Sequence, residues 1–278
     1  MRSEAMATAG GDRLTGPFRS LWRHRELYRR VLLRDIQATY RGSVLGLAWI
    51  VLIPLFLVTI YTFVFGAVLH STWVGATRSP FEVPLIFFTG LTVFSFFMEV
   101  ISRATNHIRD NRTYVTKIIF PVDILCWVLV GTALFKLCVN LFLLLVFLVF
   151  VTGQLPLGVF LLPILIVPFV LLTLGMAWIL AAVGAFVRDL SHVLQALAPI
   201  IMFISPVFYS VQQVPEGFQA AYFLNPLTFM LESTRNLLFF DTVFSARDFV
   251  IYMAASLIVF VVGYSFFQKL RPGFSDVI

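Results

Sequence analysis

Charge is scarce in this chain. Asp, Glu, Lys and Arg together make 12% of its residues, against about a quarter in soluble domains. With 60% hydrophobic residues and a mean hydropathy of +0.94, water is excluded as its main solvent. Cysteine is nearly absent: Cys126 and Cys138 both lie inside apolar stretches, so neither a disulfide framework nor a thiolate metal site is supported. Lys117, Lys136 and Lys269 are the only lysines and none follows glycine, so no G-x-x-x-x-G-K-[ST] phosphate-binding loop exists here. His24, His70, His107 and His192 are scattered, and no His, Cys or paired-Asp constellation for covalent chemistry is visible. No chain of acids runs through the apolar stretches, which counts against a proton- or sodium-driven transporter.

Long apolar runs are abundant. A span needs about 20 mostly apolar residues to cross about 30 Å of hydrocarbon as a helix. Stretches at 46 to 69, 82 to 104, 122 to 151, 157 to 187, 192 to 209 and 248 to 268 qualify, predicting an all-α polytopic protein with six transmembrane helices. The unbroken run from Val139 to Val151 does not alternate as a β-barrel strand would. About forty polar and basic residues precede the first run, which is too long for a signal-peptide core, so the first span is expected to stay.

Basic residues near span ends remain cytoplasmic. Arg2, Arg13, Arg19, Arg23, Arg25, Arg29, Arg30, Arg34 and Arg41 precede the first span. Counting outward, Arg103, Arg109, Arg112 and Lys117 fall in one inner loop, Arg188 in the next, and Lys269 and Arg271 in the tail. The expected outer segments hold only Arg78, Arg235 and Arg247. Both termini are therefore expected in the cytoplasm, and anionic lipid accounts for the net charge of +6 without nucleic acid as a partner.

Residues 1–17 read as a flexible cytoplasmic N-terminus, 18–41 as an amphipathic interface helix and 42–278 as the transmembrane domain. At 100° per residue, Phe18, Leu21, Trp22, Tyr28, Leu32, Leu33, Ile36 and Tyr40 share a face, opposite Arg19, Arg23, Arg30, Arg34 and Arg41. Arg25 and Arg29 fall on the apolar face, which implies either a break or snorkelling side chains. The bland reading is an anchor and topology signal; the sharper one is a grip on a partner or a lipid-linked substrate.

Four segments carry a family resemblance. Arg41, Gly42, Ser43, Leu45, Gly46 and Trp49, with Pro54 beyond, look like the start of type-2 ABC permeases that export polysaccharides. Gly42 and Gly46 would also form a small-residue face admitting a close helix neighbour. The cytoplasmic segment 105–121, with Asn111, Arg112, Tyr114, Thr116, Lys117, Phe120 and Pro121, resembles the family's ATPase-coupling segment. Its residue types suit a short docking helix but by themselves favour a plain solvated loop, and it is the resemblance that favours docking. Ser205, Pro206, Phe208, Tyr209, Pro215, Glu216, Asn225, Pro226, Glu232 and Arg235 follow the family's order between the last two spans. The weaker Phe186, Arg188, Asp189 and Leu190 match suggests a second ATPase contact.

Segment 210–240 is outside by topology yet rich in Phe, Tyr and Leu, so it is expected to fold back as a re-entrant outer hairpin acting as a gate. Pro215 and Pro226 suit first helical positions, Asn225 a cap, and Glu232 with Arg235 a local pair. Lys136 lies mid-span, where a cation costs about 2.5 to 3.5 kcal/mol on insertion scales, and needs a partner or a wet cavity. Glu99 is expected to pair with Arg103 four residues on. Aromatics make 16% of the chain; most will face lipid, but Tyr61, Phe65 and Tyr209 are candidates for a conduit on which sugar C–H faces pack.

The resemblance implies a homodimer with two copies of an ABC ATPase subunit, which would hold the ATP and Mg; this chain itself would carry no cofactor. It further implies a bacterial inner membrane location and a lipid-linked polysaccharide as cargo. The runner-up is a type-2 permease for a drug or small lipid.

Overall fold

Backbone polar groups in hydrocarbon must be satisfied within the segment, which favours helices. The computed structural model describes residues 16–39, 45–68, 73, 81–115 and 120–274, and every regular element among them is helical. Residues 16–23 form α1 and Arg25–Thr39 α2. Then come α3 (Trp49–Tyr61), α4 (Glu82–Asp110), the short α5 (Arg112–Val115), α6 (Asp123–Thr152), α7 (Leu162–Phe186), α8 (Leu190–Ile204), α9 (Glu216–Tyr222), α10 (Pro226–Phe239) and α11 (Ala246–Leu270).

Among the described residues, five helices are long and apolar enough to cross a membrane: Trp49–Val68, Glu82–Asp110, Asp123–Thr152, Leu157–Phe186 and Ala246–Gly273. The protein is a multi-pass membrane protein on that ground. The stretch 192 to 209, expected as a further span, instead yields α8 with 15 residues. At about 1.5 Å per residue that is shorter than about 30 Å of hydrocarbon. The helix stops because Pro206 disfavours a helical Ser205, which is extended at φ −88° and ψ 145°.

Helix α4 is the hub. It packs on α3, α6, α7, α8 and α10 and is buried along most of its length. By contrast, α3 buries only Pro54 and Val58, and α8 only Ser191. Between α7 and α11 the backbones nearly touch: a Cβ on Gly263 would land on the Gly175 carbonyl, and one on Gly175 on the Val259 carbonyl. Small residues are what allow this approach where hydrocarbon offers no hydrophobic drive between helices. Gly46, expected on a helix-packing face, has no described atom within 4 Å of its Cβ position; its φ of +51° makes it a turn residue.

Helices α1 and α2 meet at His24, where the hydrogen bonds continue from His24 N to Ser20 O (3.1 Å) and from Tyr28 N to His24 O (2.9 Å). Arg25 stacks over Trp22 at 5.4 Å across this junction. Helix α2 lies on α6, burying Val31 against Ile124 and Val128 with Leu27, Tyr28 and Leu32 alongside. Trp22 and Leu33, expected on the apolar face of an interface helix, are not covered by the bundle. The helix is turned so that Asp35 faces inward, for the reason given below.

Candidate functional site

Arg235 organises one end of the bundle. It is 1% exposed, and its Nη1 donates to Pro206 O at 2.5 Å and its Nη2 to Val207 O. Nη1 also reaches toward Tyr209 O at 3.5 Å, and the guanidinium lies 4.7 Å from the Trp73 ring. Gly90 makes room on α4, since a Cβ there would strike both the guanidinium and the Val207 carbonyl. Glu232 stands 3.8 Å away and accepts from Val211 N at 3.3 Å. The expected Glu232–Arg235 pair exists, but backbone carbonyls are the main partners of the cation. Burial lowers the Arg235 guanidinium to about 10, against the pull of Glu232, so it stays charged at neutral pH. Burial also raises the Glu232 carboxyl, opposed by Arg235 and the Val211 N–H.

The α9–α10 region follows its turn chemistry. Pro226 opens α10, and Asn225 caps it by accepting from Leu227 N at 2.9 Å while donating to Ser205 Oγ at 2.9 Å. The end of α8 is thereby tied to the start of α10. Pro215 sits one residue earlier than expected, as an extended residue before Glu216 begins α9.

Two of the three conduit candidates come together. Phe65 lies 6.0 Å from Tyr61 and 4.4 Å from Phe87, with Phe208 at 6.1 Å. Phe65 belongs to the π-helical continuation Thr62–Val68, a distortion frequent at functional positions. Tyr209 points elsewhere, donating to Phe203 O at 2.6 Å and meeting Tyr222 Oη at 2.9 Å. Phe208, Phe87 and Trp73 form the rest of the aromatic cluster. From the sequence, Phe208 belongs only to the family signature, and neither it nor Phe87 or Trp73 is expected in the conduit.

At the far end of α4, Asn111 closes the helix, with its N and Nδ2 both donating to His107 O (3.3 and 2.9 Å). Tyr114 packs on Phe120 at 4.7 Å, and Arg34 of α2 stacks over Tyr114 at 5.1 Å. Arg109 donates to Arg188 O at 3.5 Å, which brings the α7–α8 corner with Asp189 to the same end. Arg112 and Arg30 are exposed. Thr116, Lys117 and Arg41 lie outside the described residues.

Between these ends runs an ion network that sequence reasoning saw only in part. Lys136 Nζ is 2.7 Å from Glu99 Oε1, and Arg103 Nη1 is 3.2 Å from the same oxygen. Arg103 Nη2 reaches Asp35 at 3.1 Å, and Thr132 Oγ1 donates to Asp35 at 2.8 Å. Two cations and two anions from α2, α4 and α6 thus offset one another, which answers the need of Lys136 for a partner. The unread signal was Asp35, one or two turns beyond Tyr28, Val31 and Leu32 on the same face of an otherwise basic helix.

A family model described as ABC-2 type transporter matches residues 26–239. The chain is 28% identical over 263 residues to the O-antigen export system permease protein RfbA of Myxococcus xanthus, covering 94% of this chain and 98% of that protein. It is 27% identical over 250 residues to the O-antigen export system permease protein RfbA of Klebsiella pneumoniae, covering 88% and 92%.

Proposed function

Because this chain belongs to the ABC-2 type transporter family, we propose that it is the membrane-spanning subunit of an ATP-driven exporter carrying a lipid-linked cell-surface polysaccharide across a bacterial inner membrane. The observation that carries this reading is the near full-length similarity to O-antigen export permeases. Two copies pair, and two ATPase subunits supply the ATP and Mg. Helix α8 with the segment through Tyr209 acts as a sixth crossing, and both termini lie in the cytoplasm. Helices α1 and α2 rest on the cytoplasmic leaflet, with the exposed Arg30 toward anionic headgroups. Helices α9 and α10 form the re-entrant hairpin that closes the exit.

In the mechanism, α4 is the lever. One end carries Asn111 and the Arg34–Tyr114–Phe120 contact, where the ATPase pushes on segment 105–121 with Arg188 and Asp189 alongside. Toward the other end, Gly90 seats the Arg235 guanidinium that fastens the Pro206–Tyr209 loop. A continuous hydrogen-bonded helix of 29 residues transmits axial displacement well, so closure of the ATPases shifts the gate between two states. The exposed apolar sides of α3 and α8 face the second copy across the conduit, where Tyr61 and Phe65 offer rings to sugar C–H faces. This subunit orients and conducts; the bond-breaking chemistry belongs to the ATPase.

The test is deletion of the gene. Completed lipid-linked polymer trapped on the cytoplasmic face supports the reading. Normal surface glycan together with sensitivity to a drug overturns it in favour of a small-molecule permease.

A further inference from the structure

A groove of about 800 Å³ lies between α7, α10 and α11, away from the aromatic cluster of Phe65. Its polarity is graded along α11. Asp248, exposed in the first turn, stands at the mouth; the half-buried Glu232 of α10 also lines the groove, accepting from Val211 N. One turn deeper, Tyr252 Oη and Thr228 Oγ1 line the groove without a hydrogen-bond partner among the described residues, on residues 7% and 6% exposed. Deeper still the lining turns apolar, with Ala255 and Val259 of α11 and Leu172 and Met176 of α7. From Asp248 to Val259 the helix rises about 16 Å. Acid at the mouth, hydroxyls below and hydrocarbon at the floor is the order of a glycerolipid with a cationic head: ammonium, ester carbonyls, acyl chain.

We propose that this groove binds a diacyl lipid with an ammonium headgroup, of the phosphatidylethanolamine kind, whose ester carbonyls accept from Tyr252 and Thr228. The exposed carboxylate of Asp248, in a lining without Lys or Arg, disfavours an anionic headgroup, while the Glu232 carboxylate is already faced by Arg235 at 3.8 Å. A free sugar would leave the apolar floor unfilled. Buried hydroxyls rarely stay unpaired, and a lipid entering from the outer leaflet supplies acceptors at their depth. The proposal does not depend on what cargo is exported.

The experiment uses the full-length chain with its ATPase in vesicles of phosphatidylethanolamine and phosphatidylglycerol, with photoactivatable analogues of each lipid carrying a diazirine in one chain. The ethanolamine probe should label the peptide 246–259 in preference to the glycerol probe. Asp248→Asn combined with Glu232→Gln should cut that labelling about tenfold. Tyr252→Phe, which keeps the ring and its packing at 4.8 Å on Phe229, should cut it about threefold. Asp248→Asn alone changes an exposed side chain and should lower the headgroup preference without disturbing assembly. Equal labelling by the two probes overturns the proposal, as does labelling indifferent to these substitutions. Displacement of the ethanolamine probe by a neutral oligosaccharide also overturns it and makes the groove a glycan site.

Discussion

Arg235 is held by carbonyl oxygens more than by its carboxylate neighbour, and this decides how it responds to substitution. Were it a simple pair with Glu232, exchanging the charges would restore it. Here a carboxylate at 235 would face the Pro206 and Val207 carbonyls, so Arg235→Glu with Glu232→Arg should remain unstable. Leaving those carbonyls without a cation is expected to cost about 3 to 5 kcal/mol, read as reduced Tm in detergent for the single and double variants alike. Glu232 has the opposite sign of effect. Its folded carboxyl is raised by burial, so the folded state holds the proton more tightly than the unfolded one. Stability then falls as pH rises from the ordinary carboxylate value through the raised one. A plot of Tm against pH should be flatter over that window in Glu232→Gln. Within the ion network, Glu99→Gln strands Lys136, so adding Lys136→Met should recover about 1 to 3 kcal/mol of the loss.

At the scale of elements, glycines set which helices approach. Gly131 of α6 lets α2 lie close, since a Cβ there would meet Tyr28 Oη at 2.5 Å and Leu32 Cδ1 at 3.1 Å. Gly131→Leu should lift α2 from α6 at a cost of about 1 to 3 kcal/mol. The measurement is thiol labelling of Val31→Cys, 8% exposed in the wild type, in a chain whose Cys126 and Cys138 are replaced by Ser. Faster labelling is expected, and unchanged protection would show that α2 is not seated through this contact. The orientation of α2 also shows where periodicity falls short. Periodicity groups Leu33 with the apolar face of an interface helix and gives Asp35 no place, whereas Asp35 ties the helix to Arg103 and Thr132.

For the whole molecule, α4 connects the proposed ATPase end to the proposed gate. Tyr114→Ala removes the ring between Arg34 and Phe120 while leaving the buried part of α4 intact. The assembled complex should still hydrolyse ATP but export about tenfold less, the size of an ordinary coupling free energy. Parallel measurement of hydrolysis and surface glycan separates this from failed assembly. Equal losses in both would place Tyr114 in assembly rather than coupling.

Much of this was legible in order along the chain. Hydropathy determined an all-helical membrane protein, because only intra-segment hydrogen bonds satisfy a backbone in hydrocarbon. Asn225 and Pro226 announced the start of α10, because caps act within a few residues. The family motifs pointed to the ABC-2 type transporter family that the family model matches. What the linear order could not decide was every contact between distant residues: Asp35 with Arg103, Gly90 beneath Arg235, Phe65 against Phe87 and Phe208. A charge looks exposed or local until packing brings a partner from another helix, and a glycine looks like a flexible spot until a guanidinium fills the space its missing side chain leaves. Composition selects the solvent and the element type; only the packed helices choose which polar groups meet.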